Sequence, residues 1–560
     1  MTERYNNRYK IDWETAVFLL FLGGMAVYYG WRMFALTPWY DELYTYYYFI
    51  SRGPVYAAIH WPLPNNHIGY SVLSACLGIF GNSAVALRGV AWLCSLGSLI
   101  QIFRIGRRCF GHGAALMPVF LYAGMHMTNQ LAVQGRGYSL VTFCYLTAVW
   151  ELLQITKGNE TGVYSGMAQN AGGASGASSM QIKNHVLFGI SLIMALYAIP
   201  SSVYVVIPVC VSGGILFLVR RDYGRLMRLV LTSIASAVCV VGLYGVVWLA
   251  IGSNLLVKTE GGVYYGMGHG AVILQAPFKA LRTGIDYMLA TPYIQSVGRD
   301  GFAEKFIAWL KNLLNEYYKG GWAVLAALML IGIACVIIKL VKRWRTSPVH
   351  QEAAKKNHDC DLFVEVYLLT GLVGLPLMLT VQCSLPYYRV FSFAGALVAF
   401  MAAWLWQAIG ERLQDIKGRR ALAAFRAAGS AVCGILCAVC LCTPSYRAQY
   451  GGREAAIEDA YSQMDLSRYD KIAVTDCDQE YLLLFLYDIG EERLTRNPED
   501  ADVVLADKYL LLSYDTDMVD WSGDDWKLYL SPEQFQQYGV EGTHKKVYEN
   551  DRFVLYAVSD

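Results

Sequence analysis

Charge is scarce in this 560-residue chain: Asp, Glu, Lys and Arg make up 16% of it, against about 25% in soluble proteins. With a mean hydropathy of +0.33, that scarcity excludes an ordinary soluble globule. The net charge is only +2, and no basic face is concentrated enough for a nucleic-acid partner. No Gly-rich phosphate loop of the usual kinds is present, so no nucleotide site is expected. The fourteen cysteines form no disulfide framework. Most lie in apolar segments, where cysteine is a small hydrophobe. Cys433, Cys437, Cys440 and Cys442 are joined by no His or carboxylate, and read as a helix-packing stripe rather than a metal site. The first apolar run, Thr15 to Leu36, is too long for a signal-peptide core and lacks a small-residue cleavage site, so it is expected to remain as a transmembrane helix.

What the chain does have is apolar runs of bilayer-crossing length. They cover about 15–36, 83–103, 113–125, 138–156, 186–199, 202–219, 227–251, 321–341, 362–381, 390–409 and 423–443. Basic residues collect in alternate connections, among them Arg104, Arg107, Arg108, Arg220, Arg221, Arg225, Lys342, Arg343, Arg419 and Arg420. The positive-inside rule makes that side cytoplasmic. Eleven spans then place the N-terminus inside and the C-terminus outside the cell membrane. The run Gly69–Phe80 is too short to cross and is expected to lie along the outer surface.

The first domain is therefore an all-α polytopic domain over 1–444, with long outer loops at 37–82 and 252–320 and a Gly/Ser/Ala-rich cytoplasmic linker at 158–182. From residue 445 to 560 the composition becomes soluble. KIAVTDC and ADVVLADKYLLL suggest short buried strands, and DQEYLLLFLYDIG a helix closed by a cap at Gly490. A small α/β domain outside the membrane follows, with no catalytic motif of its own.

Charges kept on the outer face are the candidate chemistry. Asp41 and Glu42, in TPWYDELYTYYYFISRGP, suit an interfacial helix start, and equally a carboxylate poised above the bilayer. In the second role it would take a proton from an acceptor hydroxyl or hold a divalent cation, Mg or Mn, beside a phosphate. Arg52, Arg88, Arg136 and Arg389 fall on the same face; each suits snorkelling or pairing, and together they suit an anionic headgroup. Asn66 and His67 offer donors to sugar hydroxyls, and His67 a second ligand to a metal held by Asp41. His269, in GGVYYGMGHG, sits in a glycine-rich loop suited to covering a polar substrate.

The Asp–Glu pair after the first span resembles the signature of GT-C membrane glycosyltransferases, as does FGNSAVALRGVAWLCSLGSL at the opening of the next span. AVQGRGYSLVTF looks like the Arg–x–Tyr–x–Leu segment of these enzymes, and LPYYRVFSFAGALVAF like their late Pro…Arg segment. The branch it most resembles is that of the protein O-mannosyltransferases and aminoarabinose transferases, over residues 10–220 with support near 381–400. The resemblance implies inverting transfer of one sugar from a polyprenyl-phosphate donor at the extracytoplasmic face. The acceptor would be a cell-envelope glycan, lipid or protein. Asp41 would be the base and Glu42 its assistant or a metal ligand. Arg136 and Arg389 would hold the donor phosphate, with Tyr138 beside them. Aminoarabinose transferases usually carry a Lys-Pro-Pro-Leu-like element where this chain has Pro64-Asn65-Asn66-His67, so that branch's phosphate-binding lysine has no counterpart. Three other readings compete: an oligosaccharide ligase using the same residues, a lipid-linked sugar flippase, and a scaffold that binds cell-wall polymer. A flippase predicts charges deep in spans or repeated halves, neither of which is evident.

Overall fold

A backbone inside a bilayer has no water to bond, so apolar segments of sufficient length fold as helices. A computed structural model describes residues 12–61, 66–157, 173–290, 297–345, 355–448, 451–509, 529–538 and 542–558. Among them nine helices are long and apolar enough to cross a membrane, which defines a multi-pass membrane protein.

Helix α1 (Trp13–Ala35) is capped by Asp12, whose side chain accepts the Thr15 N–H at 3.0 Å. A short α2 (Tyr40–Thr45) runs into a π-helical turn, Tyr46–Ile50. Next come α3 (Pro54–Ile59) and α4 (Ile68–Leu77), which packs against α5 and is too short to span. Helices α5 (Ser83–Cys109), α6 (Leu116–Ala123), α7 (His126–Leu131), α8 (Tyr138–Lys157), α9 (Gly173–Ala198), α10 (Val203–Val219) and α11 (Tyr223–Lys258) follow. A lateral group, α12 (His269–Gln275), α13 (Pro277–Ala290) and α14 (Phe302–Tyr317), precedes α15 (Trp322–Arg345), α16 (Lys355–Gln382), α17 (Ala394–Lys417) and α18 (Arg419–Cys442).

Two of the eleven expected spans take another form. The 113–125 run is not one long helix: α6 ends at Gly124, and α7 begins after it. The stretch nevertheless connects both ends of the bundle. Gly113 and Ala115 N–H groups donate to Glu14 at the start of α1, while Gly135 N–H donates to Glu42 just beyond its end. The break falls at Met125, which is extended, and Gly124 before it packs closely on α18: a Cβ there would lie 3.1 Å from the Cα of Cys437. The 186–199 run is the end of the 26-residue α9. Residues 173–182, expected as linker, open that helix, and 158–172 lie outside the described residues.

Within the 252–320 connection, α13 packs on α11 backbone to backbone. A Cβ on Gly252 would lie 1.7 Å from the Ala280 carbonyl oxygen, and one on Gly284 2.0 Å from that of Trp248. Small residues permit such an approach. Replacing Gly284 by leucine is expected to push α13 away, costing about 1–3 kcal/mol or more, seen as a lower thermal midpoint in detergent.

After α19 (Pro444–Arg447) and α20 (Gly452–Tyr461), the C-terminal part builds a five-stranded sheet around α21 (Cys477–Tyr487). The strands are β1 (Ile472–Ala473), β2 (Leu494–Thr495), β3 (Val503–Asp507), β4 (His544–Glu549) and β5 (Phe553–Val558), in the order β2-β1-β3-β5-β4. β1 runs parallel to β2 and β3, and β5 antiparallel to β3 and β4. Helix α21 does not end on a glycine cap. Asp488 takes the left-handed conformation at φ 50, and Gly490 is extended; aspartate tolerates this geometry better than most side chains do. Beneath the sheet Arg453 binds three buried carboxylates, reaching Asp476 and Asp478 at 2.6 Å each and Asp507 at 3.4 Å. The apolar core beside it, around Ile457, Tyr461, Leu482 and Leu505, also encloses Leu43 of α2.

Candidate active site

The site assembles where α1 ends. Leu36 closes that helix in extended conformation, leaving its last carbonyls exposed. Arg88 of α5 satisfies them: Nη1 donates to the Met33 and Leu36 carbonyls at 2.9 and 2.7 Å, and Nη2 to Thr37 at 3.3 Å. Its remaining donors form a fork on Glu42, Nε to Oε1 at 2.8 Å and Nη2 to Oε2 at 3.0 Å. All five guanidinium donors are thus used. Glu42 is equally engaged, accepting the Gly135 N–H at 2.6 Å and the Trp39 N–H at 3.0 Å. The pair is buried, at 4% side-chain exposure each. A side chain at 135 would intrude here, since a Cβ would sit 2.5 Å from Leu87 Cδ1 and 3.1 Å from Glu42 Oε1.

This anchor holds α2, and α2 presents Asp41, which keeps 16% side-chain exposure. Two guanidinium groups converge on its Oδ2: Arg389 Nη2 at 3.2 Å and Arg136 Nη2 at 3.9 Å. Arg136 is held from the other side, donating to Thr45 Oγ1 at 2.7 Å and to the Asp41 carbonyl at 3.3 Å. Arg389 stacks over Trp39 and Tyr387, each ring centre 4.8 Å from Cζ, with Tyr138 at 6.0 Å. His67 lies beside Arg136, with Nη2 3.4 Å from its Nε2. The imidazole packs edge-on against Tyr138.

His67 does not fit a metal. Its Nδ1 accepts the Gly137 N–H at 2.9 Å, so the neutral ring carries its hydrogen on Nε2. Burial holds the imidazole well below its usual pKa, and Arg136 and Arg389 push the same way. The lone pair is already used, and the group beside both His67 and Asp41 is a guanidinium. The expected Mg or Mn bound between Asp41 and His67 therefore does not match this donor set. Among the described residues, Asp12, Glu14 and His112 alone form a group close enough to hold an ion, and Arg107 pairs with Asp12 and Glu14 there.

The other sequence candidates are placed elsewhere. Asn66 is an internal brace, donating to the Ala57 and His60 carbonyls and accepting from Ser71. It ties α3 to α4 and has no donor left for a sugar; its neighbour Asn65 lies outside the described residues. Arg88 is committed to protein groups, as above, and has none left for a headgroup. Arg52 is exposed, bonded to the Tyr47 carbonyl and Tyr56 hydroxyl and stacked over Tyr48 and Tyr56. His269 is exposed at the start of α12. Sequence reasoning passed over Trp39 and Tyr387, although both flank motifs already singled out. It also passed over Thr45 and Glu454. Glu454 accepts the Tyr40 N–H across 414 residues at 2.9 Å, a separation that leaves no local signal.

The site thus lies where a polytopic helical bundle meets a small α/β domain, with a carboxylate between two arginines. Residues 68–220 match the family described as dolichyl-phosphate-mannose-protein mannosyltransferase. The fold is similar to that of ArnT from Cupriavidus metallidurans bound to undecaprenyl phosphate: TM-score 0.51, 13% identity, with 97% of each chain covered. The apo state of the same protein aligns at 14% identity and a TM-score of 0.45, over 97% of this chain and 98% of that one. No curated protein matches the sequence significantly. The chain is thus similar to membrane glycosyltransferases in residues 68–220 by family match, and over its length in fold.

Proposed function

We propose that this protein moves a sugar from a polyprenyl-phosphate donor to an acceptor hydroxyl at the extracytoplasmic face, with Asp41 as general base. The observation that carries this reading is the convergence of Arg136 and Arg389 on one oxygen of a partly exposed carboxylate. The ArnT structure of the same fold holds undecaprenyl phosphate, and the alternation of basic loops favours the stated sidedness.

The chemistry balances without a further reactant. The acceptor oxygen attacks the anomeric carbon and its proton passes to Asp41. The carbon–oxygen bond to phosphate breaks, and the electron pair leaves with polyprenyl phosphate, which gains a negative charge. Two guanidinium groups near that oxygen stabilise the charge as it grows. A bound phosphate competes with Asp41 for the same arginines, so donor binding loosens their hold on the base. No step is routed through a metal. Glu42 acts by anchoring α2 against Arg88, rather than by touching substrate.

Purified protein is expected to release polyprenyl phosphate from one member of a panel of radiolabelled polyprenyl-phosphate sugars when the acceptor is supplied. Arg389→Gln and Arg136→Gln are expected to slow that release about 10²–10³-fold each. Wild-type rates in both variants would remove the arginines from the phosphate site.

A further inference from the structure

The C-terminal domain does more than sit above the bundle: it grips the segment that carries the base. The stretch after α1 is held from two sides. Facing the membrane domain, Glu42 is locked to Arg88 and Gly135. Facing the C-terminal domain, Thr37 donates to Glu458, and Tyr40 N–H donates to Glu454 Oε1 at 2.9 Å. Leu43 is buried in that domain's apolar core. Tyr47 stacks on Tyr481 with ring centres 5.1 Å apart, and Tyr46 meets Phe485 edge-on at the same distance. Cys477 Sγ lies 3.6 Å from the Tyr40 hydroxyl.

We propose that Glu454 is a positioning residue for Asp41, acting through the backbone N–H of Tyr40, so that docking of the C-terminal domain completes the active site. The residue before Asp41 must stay fixed for the carboxylate to keep its aim, and its amide is bonded not by the membrane domain but by a side chain of α20. Glu454 is itself fixed. It is 3% exposed, and the next residue along the chain, Arg453, is locked into the triad of Asp476, Asp478 and Asp507. Burial pushes the Glu454 carboxyl up from its ordinary pKa, while the Tyr40 N–H and the Arg453 charge pull it down. The group is therefore held in place by a bond it makes to α2 and by a charged network behind it. Displacing a reacting group by about 1 Å can cost a hundredfold in rate, which makes this hydrogen bond consequential although Glu454 touches no reacting atom.

The kinetic half of this inference rests on the transferase reading; the structural half does not. The test uses full-length protein with Glu454→Ala and Glu454→Gln, assayed for turnover and for hydrogen–deuterium exchange across Tyr40–Thr45. Glutamine keeps an acceptor oxygen where the carboxylate had one; alanine does not. Glu454→Ala is expected to raise exchange in that segment and lower kcat about tenfold or more, leaving KM for the donor unchanged. Glu454→Gln is expected to keep both close to wild type. If the alanine variant fails to fold, Glu454→Asp, which withdraws the oxygen by about 1.5 Å, should show the same split. Wild-type exchange and kcat in the alanine variant would overturn the proposal, as would a glutamine variant as impaired as alanine. Asp41→Asn, run alongside, separates the two ideas: should it retain turnover, the base assignment fails, while the exchange data still decide what Glu454 holds.

Discussion

Asp41→Asn should leave the protein folded, with the donor still bound, and reduce release of polyprenyl phosphate by about 10²–10⁴-fold, the usual contribution of a general base. The substitution is nearly isosteric and sits at the rim of the site, at 16% side-chain exposure, so little packing is disturbed. It removes the proton acceptor and also the negative charge that two guanidinium groups now face. The donor phosphate then meets arginines with no competing carboxylate. Its affinity should stay level or rise while kcat collapses, and that opposite movement is the informative signature. Single-turnover kinetics with labelled donor would separate the two parameters. Equal turnover in wild type and variant would take Asp41 out of the mechanism.

Breaking the Arg88–Glu42 pair from one side is expected to damage the protein itself rather than the reaction alone. Each member is buried and carries several bonds at once: Arg88 closes the carbonyl end of α1, and Glu42 receives two backbone amides. Removing one partner leaves a charge without compensation in a low-dielectric site, at a cost of about 3–5 kcal/mol. Arg88→Met should therefore lower the thermal midpoint in detergent sharply and reduce the yield of folded protein. Glu42→Gln keeps the side-chain shape but turns an NH2 against two N–H donors whichever way the amide points, and should cost a comparable amount. The double variant should be more stable than the sum of the single losses predicts. Additive losses would show that the two charges do not support each other.

How far these residues could be read in advance depends on the range over which they act. Asp41, Arg136, Arg389, His67 and Tyr138 come together at one end of the bundle, and each lies where an apolar run meets a polar connection, a pattern visible in one dimension. Their partnerships are not visible in this way. Arg88 and Asn66 look like ligands for a headgroup and a sugar until their donors are counted against protein carbonyls. The metal suggested for Asp41 and His67 yields to a guanidinium and a Gly137 amide for the same reason. The span at 113–125 breaks at Met125, beside a Gly124 that packs on α18, a contact between segments far apart in sequence. Asp488 replaces the anticipated glycine cap, since the left-handed conformation excludes few residues absolutely. Helix periodicity and charge sidedness are local properties; satisfied hydrogen bonds are not.

The grip of α20 on α2 also bears on how the protein is made. The helix bearing Asp41 emerges from the ribosome early, whereas Glu454 and the core that encloses Leu43 emerge near the end of synthesis. Until that last portion has been delivered to the same side of the membrane and has folded, the nascent chain holds its carboxylate without its full support. On the positioning proposed for Glu454, full competence is a late act of maturation: a chain cut short before the sheet forms would hold its helices but present Asp41 without the contact to Glu454.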